Sequence, residues 1–227
     1  MKKEHSANYI SFYQITKRTI DIVGSLFLLI IFSPVILATS VAIKLTSPGP
    51  VFVEKSNLHM RRLGKGGKKF RLFKFRSMMV EADKLERYDP RYRHIYIEKR
   101  TKGNYKPRND PRISKVGKFI RVHSIDEIPQ LLNVLRGDMS LVGPRPYLTD
   151  ELAEQQIKYP GTEAYVKETL TVKPGITGYW QVTGRSEVNF DKRIEMDAYY
   201  ARKKSLFFDM LIVLKTPWVM LTGKGAL

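Results

Sequence analysis

Residues 22–43 read IVGSLFLLIIFSPVILATSVAI, 22 uncharged residues in succession between Asp21 and Lys44. Coiled as a helix they reach about 33 Å, enough to cross a hydrocarbon core of roughly 30 Å. The run is too long for a signal peptide, is interrupted by Ser33-Pro34, and is not followed by an A-x-A-like cleavage site. The charges on either side conflict with a simple crossing. Residues 1–21 carry a net +2 and residues 44–227 a net +16, and basic flanks prefer the cytoplasmic side at both ends. A helix that enters the bilayer, breaks and returns to the same face satisfies both. Ser33-Pro34 lies near the midpoint, where a proline removes a backbone donor and opens a kink whose freed carbonyls a serine hydroxyl can partly satisfy. From this segment alone, a re-entrant helix-break-helix and a kinked spanning helix both stay open.

The whole chain has 227 residues, with 40 Lys+Arg against 22 Asp+Glu for a net charge of +18, and 43% of it is hydrophobic. That is too apolar for a disordered basic tail, and the charge points to a polyanionic partner: nucleic acid, an anionic membrane face or a phosphate-rich substrate. The absence of cysteine excludes a disulfide framework, a Cys-liganded metal and a thiol nucleophile.

Composition turns polar at Ser47-Pro48-Gly49-Pro50. Val51-Phe52-Val53 and Phe70 to Phe75 are expected as two short strands around a turn containing Gly64, Gly66 and Gly67. The basic residues of this unit, Lys74 and Arg76 among them, face only Glu54 and suit a headgroup-facing surface. Residues 84–112 suggest a short helix and then a long surface loop. Leu206 to Leu221, holding Asp209, Lys215 and Pro217, fits an interfacial helix as well as a core helix.

Ser124-Ile125-Asp126-Glu127 has the pattern of a capping box, followed by Ile128, Leu131, Leu132 and Leu135 at helical spacing until Gly137. Two acids in a first turn can simply complement the helix dipole. Among so many arginines they can also serve as nucleophile and metal ligand in phosphoryl transfer, with Asp126 ionised. Arg112, Arg121 and Arg145 are near in sequence, and Gly143-Pro144-Arg145-Pro146 holds an arginine on a stiff bend suited to gripping phosphate.

Lys17-Arg18-x-x-Asp21, Ser33-Pro34, Ser47-x-Gly49-Pro50-Val51-Phe52, Lys74-Phe75-Arg76-Ser77-Met78, Ser124 to Leu131, Asn133 to Ser140, Gly143 to Pro146 and Lys173 to Gly178 occur in this order. Together they closely resemble the bacterial sugar transferases, the monotopic polyprenyl-phosphate phosphoglycosyl transferases. The resemblance implies transfer of a sugar 1-phosphate from a nucleotide diphosphate sugar, usually a UDP-sugar, to undecaprenyl phosphate, with release of UMP. It implies Asp126 as a nucleophile that forms a covalent phosphosugar enzyme, and Glu127 beside it at Mg²⁺. Arg121 matches a phosphate-holding residue and Pro144-Arg145-Pro146 the nucleotide-side loop; Arg112, Lys74 and Arg76 join them as candidate phosphate contacts. Ser33-Pro34 matches the break of a re-entrant helix, which favours same-side topology.

The expected fold is therefore α+β and helix-rich, monotopic in the membrane, with a small β-hairpin and interfacial amphipathic helices. Residues 1–46 are expected to form the re-entrant membrane helix. Residues 47–227 are expected to form a cytosolic or interfacial catalytic domain that makes one structural unit with it, on the cytoplasmic face of a bacterial inner membrane. Membrane lipids and a second copy of the chain are expected partners, and nucleic acid is not. The resemblance is to the minimal catalytic form, without a large extra N-terminal membrane domain. The sequence departs from the family where Ser56-Asn57-Leu58-His59 look inserted and Met60 stands in place of a usual Gln, and residues 85–109 are longer than in the most compact members. The competing reading is a basic, membrane-associated protein that binds nucleic acid or anionic lipid without catalysis.

Overall fold

The computed structural model describes residues 2–53, 61–102, 110–184 and 188–222. The N-terminal apolar stretch folds as two helices, α1 (Lys2–Ile31) and α2 (Ser33–Thr46). They bend by 59° at Phe32. Pro34 brings no N–H to the helix, and the Ser33 hydroxyl donates to the Ile30 carbonyl at 2.8 Å, so the break is satisfied internally. Among the described residues no single helix is long and apolar enough to cross a membrane; the bent pair meets that test only together.

Both ends of the pair are tied to the rest of the protein. From α1, Lys17 Nζ meets Asp209 Oδ2 at 2.7 Å, and Arg18 donates to the carbonyls of Val134 and Leu135 at 2.6 and 2.8 Å. Asp21 accepts from Ser140 Oγ and from the Leu141 amide, each at 2.9 Å. Where α2 ends, Arg76 donates to the Pro50 carbonyl (2.6 Å), Ser47 Oγ (2.7 Å) and the Ser47 carbonyl (2.9 Å).

The hairpin forms between β1 (Arg61–Leu63) and β2 (Lys69–Arg71), antiparallel, with Arg62 opposite Phe70. The expected pairing of Val51–Val53 with Phe70–Phe75 forms only at its far end, where Phe52 and Phe75 make an antiparallel bridge. Gly66 and Gly67 take φ of 68° and 74°, so the turn closes within a few residues and joins its immediate flanks. Val51–Val53 instead runs beside Lys74–Arg76, through Val53 N to the Lys74 carbonyl (3.1 Å) and Arg76 N to the Val51 carbonyl (2.8 Å). The inserted Ser56 to His59 and Met60 lie outside the described residues.

Residues 82–102 hold more helix than the sequence suggests: α3 (Ala82–Tyr88), a 3₁₀ turn (Pro90–Tyr92) and α4 (Arg93–Lys102). Asp89 restarts the chain by accepting from the Arg91 amide at 3.0 Å. Next come α5 (Lys115–Val122), a 3₁₀ turn (Ile125–Glu127), α6 (Gln130–Arg136) and β3 (Ser140–Val142). After α7 (Thr149–Lys158) and α8 (Glu163–Thr169), β4 (Gly175–Thr177) pairs parallel with β3. A side chain on Gly143 would meet the Lys173 carbonyl at 2.4 Å, so the loop leaving β3 lies directly against the entry to β4.

The chain closes with α9 (Tyr179–Thr183), α10 (Phe190–Lys203) and α11 (Leu206–Thr222). Of the two readings of α11, a core helix fails. Asp209 and Ile212 are buried, but Phe207, Leu214 and Trp218 are exposed along its length. The same holds for α1 and α2, where Val23, Phe27, Ile30, Leu37 and Leu45 face outward.

Candidate active site

Phe75 is buried against Ile43 and Ile120, and Lys74, the residue before it, faces the dyad instead. Asn133 on α6 holds this segment in place. Its amide oxygen accepts from the Phe73 amide at 2.8 Å and its nitrogen donates to the Arg71 carbonyl at 2.7 Å. One rung further, Phe75 N donates to the Asp126 carbonyl at 3.0 Å. Lys74 is thereby delivered to the dyad. Its ammonium stands 2.7 Å from Asp126 Oδ2 and 3.3 Å from Glu127 Oε1.

The dyad does not sit in a capping box. Ser124 is left-handed, with φ of 55°, and its side chain caps nothing. Ile125–Glu127 is a 3₁₀ turn closed by Glu127 N to the Ser124 carbonyl and Ile128 N to the Ile125 carbonyl, both 3.1 Å, and the α-helix starts at Gln130. Pro129 has no N–H to donate, so the α-helical ladder cannot extend back across it. Asp126 is buried at 2% exposure, whereas Glu127 stays half-open. Burial pushes the Asp126 carboxyl above the usual carboxylate range and Glu127 adds to this, while Lys74 and Arg121 oppose it. Burial alone would lower the Lys74 pKa, but the two carboxylates outweigh it and raise it. An acid that merely complemented a helix dipole would lie at free amides near solvent; Asp126 is buried against an ammonium instead.

The other expected residues divide. Arg121, at the end of α5, lies within the electrostatic reach of Asp126 and Lys74, and its side chain has no hydrogen bond or ion pair among the described residues. Arg145 is close enough to Glu127 to feel its charge, and its guanidinium lies over Trp180, 5.8 Å from the ring centre. Pro144 and Pro146 flank it, and the Pro144 carbonyl accepts from Gly175 N at 2.8 Å.

Arg112 and Arg76 do different work from that expected. Arg112 is completely buried, bonded to Asp110 through Nε (2.8 Å) and Nη2 (2.5 Å) and to the Ala82 carbonyl (2.9 Å). Arg76 is turned toward the end of α2 by the bonds described above. Both are internal ties rather than open phosphate contacts; neither the nearness of Arg112 to the dyad in sequence nor the motif around Arg76 revealed their burial.

Three residues not singled out for the site stand beside it. Arg62 on β1 is within reach of Arg145, Glu151 and Glu127. Asp197 on α10 accepts from the Tyr147 hydroxyl at 2.8 Å and the Arg145 amide at 3.4 Å, and burial pushes its carboxyl up to about 7. Arg193, one turn earlier, lies 5.1 Å from the Trp180 ring centre. Trp180 is thus buried under guanidinium groups and offers little surface to a ligand. Arg185, in the stretch that follows, lies outside the described residues.

Comparison with known proteins bears on what this arrangement serves. The model of the family described as bacterial sugar transferase matches residues 12–223. The chain belongs to the bacterial sugar transferase family. It is 42% identical over 217 residues to an uncharacterized sugar transferase of Haemophilus influenzae, covering 94% of this chain and 42% of that protein. With an undecaprenyl-phosphate galactose phosphotransferase of Salmonella typhimurium it shares 42% identity over 92% of this chain and 41% of that protein. With the exopolysaccharide production protein ExoY of Rhizobium meliloti it shares 37% identity over 92% of this chain and 87% of that protein. The chain therefore spans less than half the length of the first two relatives and most of the third.

Proposed function

We propose that this chain transfers a sugar 1-phosphate from a nucleotide diphosphate sugar, a UDP-sugar by preference, to undecaprenyl phosphate, and so begins polysaccharide assembly at the membrane. The observation that carries the reading is the buried Asp126 carboxylate held at 2.7 Å by Lys74, beside the half-open Glu127, in a chain of this family. In the first step an Asp126 oxygen attacks the phosphorus that bears the sugar; the bond from that phosphorus to the bridging oxygen breaks and UMP leaves. In the second, an oxygen of the lipid phosphate attacks the same phosphorus and the bond to Asp126 breaks. Lys74 favours the ionised nucleophile, and Arg121, whose guanidinium has no partner among the described residues, offers it to the transferring phosphate.

The dyad suits Mg²⁺. Two adjacent carboxylates already converge on one cationic group, and a magnesium site is commonly built from one or two carboxylates, substrate phosphate and water. Bound there by Asp126 and Glu127, Mg²⁺ would neutralise charge developing on the diphosphate.

Membrane attachment is supported by the apolar exteriors of α1, α2 and α11 and by the fixing of residues 17–21 and 47–50 to one body. That arrangement suits a re-entrant pair on the cytoplasmic side, with exposed Lys65, Lys68 and Lys69 available to anionic headgroups.

The test is a panel of UDP-sugars with Mg²⁺ and purified protein but no lipid acceptor. Near-stoichiometric UMP release with a phosphosugar adduct on the Asp126 peptide, both lost in Asp126→Asn, is the expected result. Release that persists in Asp126→Asn would overturn the covalent route, and silence both with and without undecaprenyl phosphate would overturn the transferase reading.

A further inference from the structure

Arg62 is an anomaly in charge terms. Its side chain forms no hydrogen bond or ion pair among the described residues, and its Nε is buried without a partner. Burial and the nearby Arg145 pull its pKa down to about 10, only partly offset by Glu151 and Glu127. Glu151 gives its oxygens elsewhere, to Arg193 at 3.5 Å and to the Leu148 amide at 3.4 Å.

The backbone holds this arrangement together. Leu63 N donates to the Tyr147 carbonyl at 2.9 Å, which lays β1 alongside the Pro144-Arg145-Pro146 loop. Leu63 packs into the cluster of Tyr147, Leu152 and Ile194. Asp197 fixes the other side of the loop through Tyr147 and the Arg145 amide. The Nε of Arg145 is likewise buried and has no partner among the described residues. Two guanidinium groups are thus kept near each other and near Glu127, against their mutual repulsion, with hydrogen-bonding capacity unspent. A fold maintains such a costly arrangement where an anion completes it.

We propose that Arg62 is a donor-binding residue, closing with Arg145 a two-guanidinium clamp on the phosphate that departs with the nucleotide. This rests on the transferase reading, in which Asp126 takes the sugar-bearing phosphorus. The departing phosphate shares a bridging oxygen with it and must lie beside the dyad, where both arginines bear on Glu127. A guanidinium fork can hold two phosphate oxygens at once, whereas a lysine ammonium is a point charge.

The test uses the full chain in detergent with UDP, inorganic pyrophosphate and uridine as probes. Arg62→Gln is expected to weaken UDP and pyrophosphate binding by about 10- to 100-fold, the loss of a hydrogen bond to a charged group, and to leave uridine binding unchanged. Arg62→Lys should recover little of it. The melting temperature of unliganded Arg62→Gln should be unchanged or raised, because an uncompensated charge has gone; a merely structural arginine would lower it. Wild-type protein that binds neither phosphate probe, an Arg62→Gln protein that binds UDP as tightly as wild type, or a folded Arg62→Lys protein with wild-type binding would overturn the clamp. If a phosphosugar adduct forms and Arg62→Gln has the wild-type KM for the donor, the clamp fails and the transferase stands. If no donor releases UMP with or without undecaprenyl phosphate, yet Arg62→Gln loses pyrophosphate, the transferase reading fails and the anion clamp stands.

Discussion

Lys74 is the residue on which the site's electrostatics turn. Its ammonium is shared by Asp126 and Glu127, and removing it leaves a buried carboxylate beside a second negative charge. Breaking a buried pair at one end costs about 3–5 kcal/mol. Lys74→Met should therefore destabilise the fold by about that much at neutral pH, and adding Asp126→Asn should restore most of the loss. Chemical denaturation of the two single variants and the double variant measures this, and additive effects would show the pair to be energetically idle. Asp197 makes a second prediction, with the opposite pH dependence from an ordinary salt-bridged acid. Burial raises its folded-state pKa to about 7, so the folded state holds its proton more tightly than the unfolded chain does. Its penalty is absent below about pH 4, grows as pH rises, and is fully present above about pH 7, where three units correspond to at most about 4 kcal/mol. Asp197→Asn keeps an acceptor for Tyr147 and has nothing to ionise. Its advantage in melting temperature over wild type should widen from pH 5 to pH 8, and parallel curves would contradict the shift.

At the scale of elements, α1 serves the site as well as the apolar surface. Arg18 caps the C-terminal carbonyls of α6, the short helix whose other end leads directly from the dyad. Arg18→Leu removes two charge-assisted bonds, each worth about 1.5–3 kcal/mol. Amide exchange across residues 128–136 should speed up and the melting temperature fall; unaltered exchange there would mean that α6 holds itself. Elements of this kind mark what can be read in the sequence. The apolar run with Ser33-Pro34 announced the bent pair because period, length and a breaker are local properties. The motif marked Asp126 and Glu127 as a pair, but the capping box was not what formed, since Pro129 and a left-handed Ser124 impose a 3₁₀ turn instead. Arg112, by its nearness in sequence to the dyad, and Arg76, by the motif that holds it, were expected at phosphate, and the structure bonds both internally instead. Lys74 was read first as part of a basic surface, and Arg62 was given no place at the site. Their partners lie 52 or more positions away along the chain, brought near by the amide of Asn133 and by the Leu63–Tyr147 rung.

For the whole molecule, the question is what sets the path of the apolar stretch. Pro34 costs a helix interior about 3 kcal/mol, so Pro34→Ala favours one straight helix by roughly that amount. A straight helix would carry residues 17–21 and 47–50 to opposite ends of a span, yet both groups are bound to the same body. Arg18, Asp21 and Lys17 hold one end and Arg76 the other, through bonds that include charged groups worth about 1.5–3 kcal/mol each. These contacts together exceed what the proline contributes. Pro34→Ala alone is therefore expected to keep its topology, and Pro34→Ala with Arg76→Leu to lose it in part. Because the chain contains no cysteine, single cysteines at exposed Gln14 and Lys68 report sidedness without background. In oriented membrane vesicles a membrane-impermeant maleimide should label both from the cytoplasmic side in wild type and in Pro34→Ala, whereas Gln14→Cys should become reachable from the other side only when Arg76 is also replaced. If Pro34→Ala by itself moves Gln14 across, the break sets the topology and the body follows it.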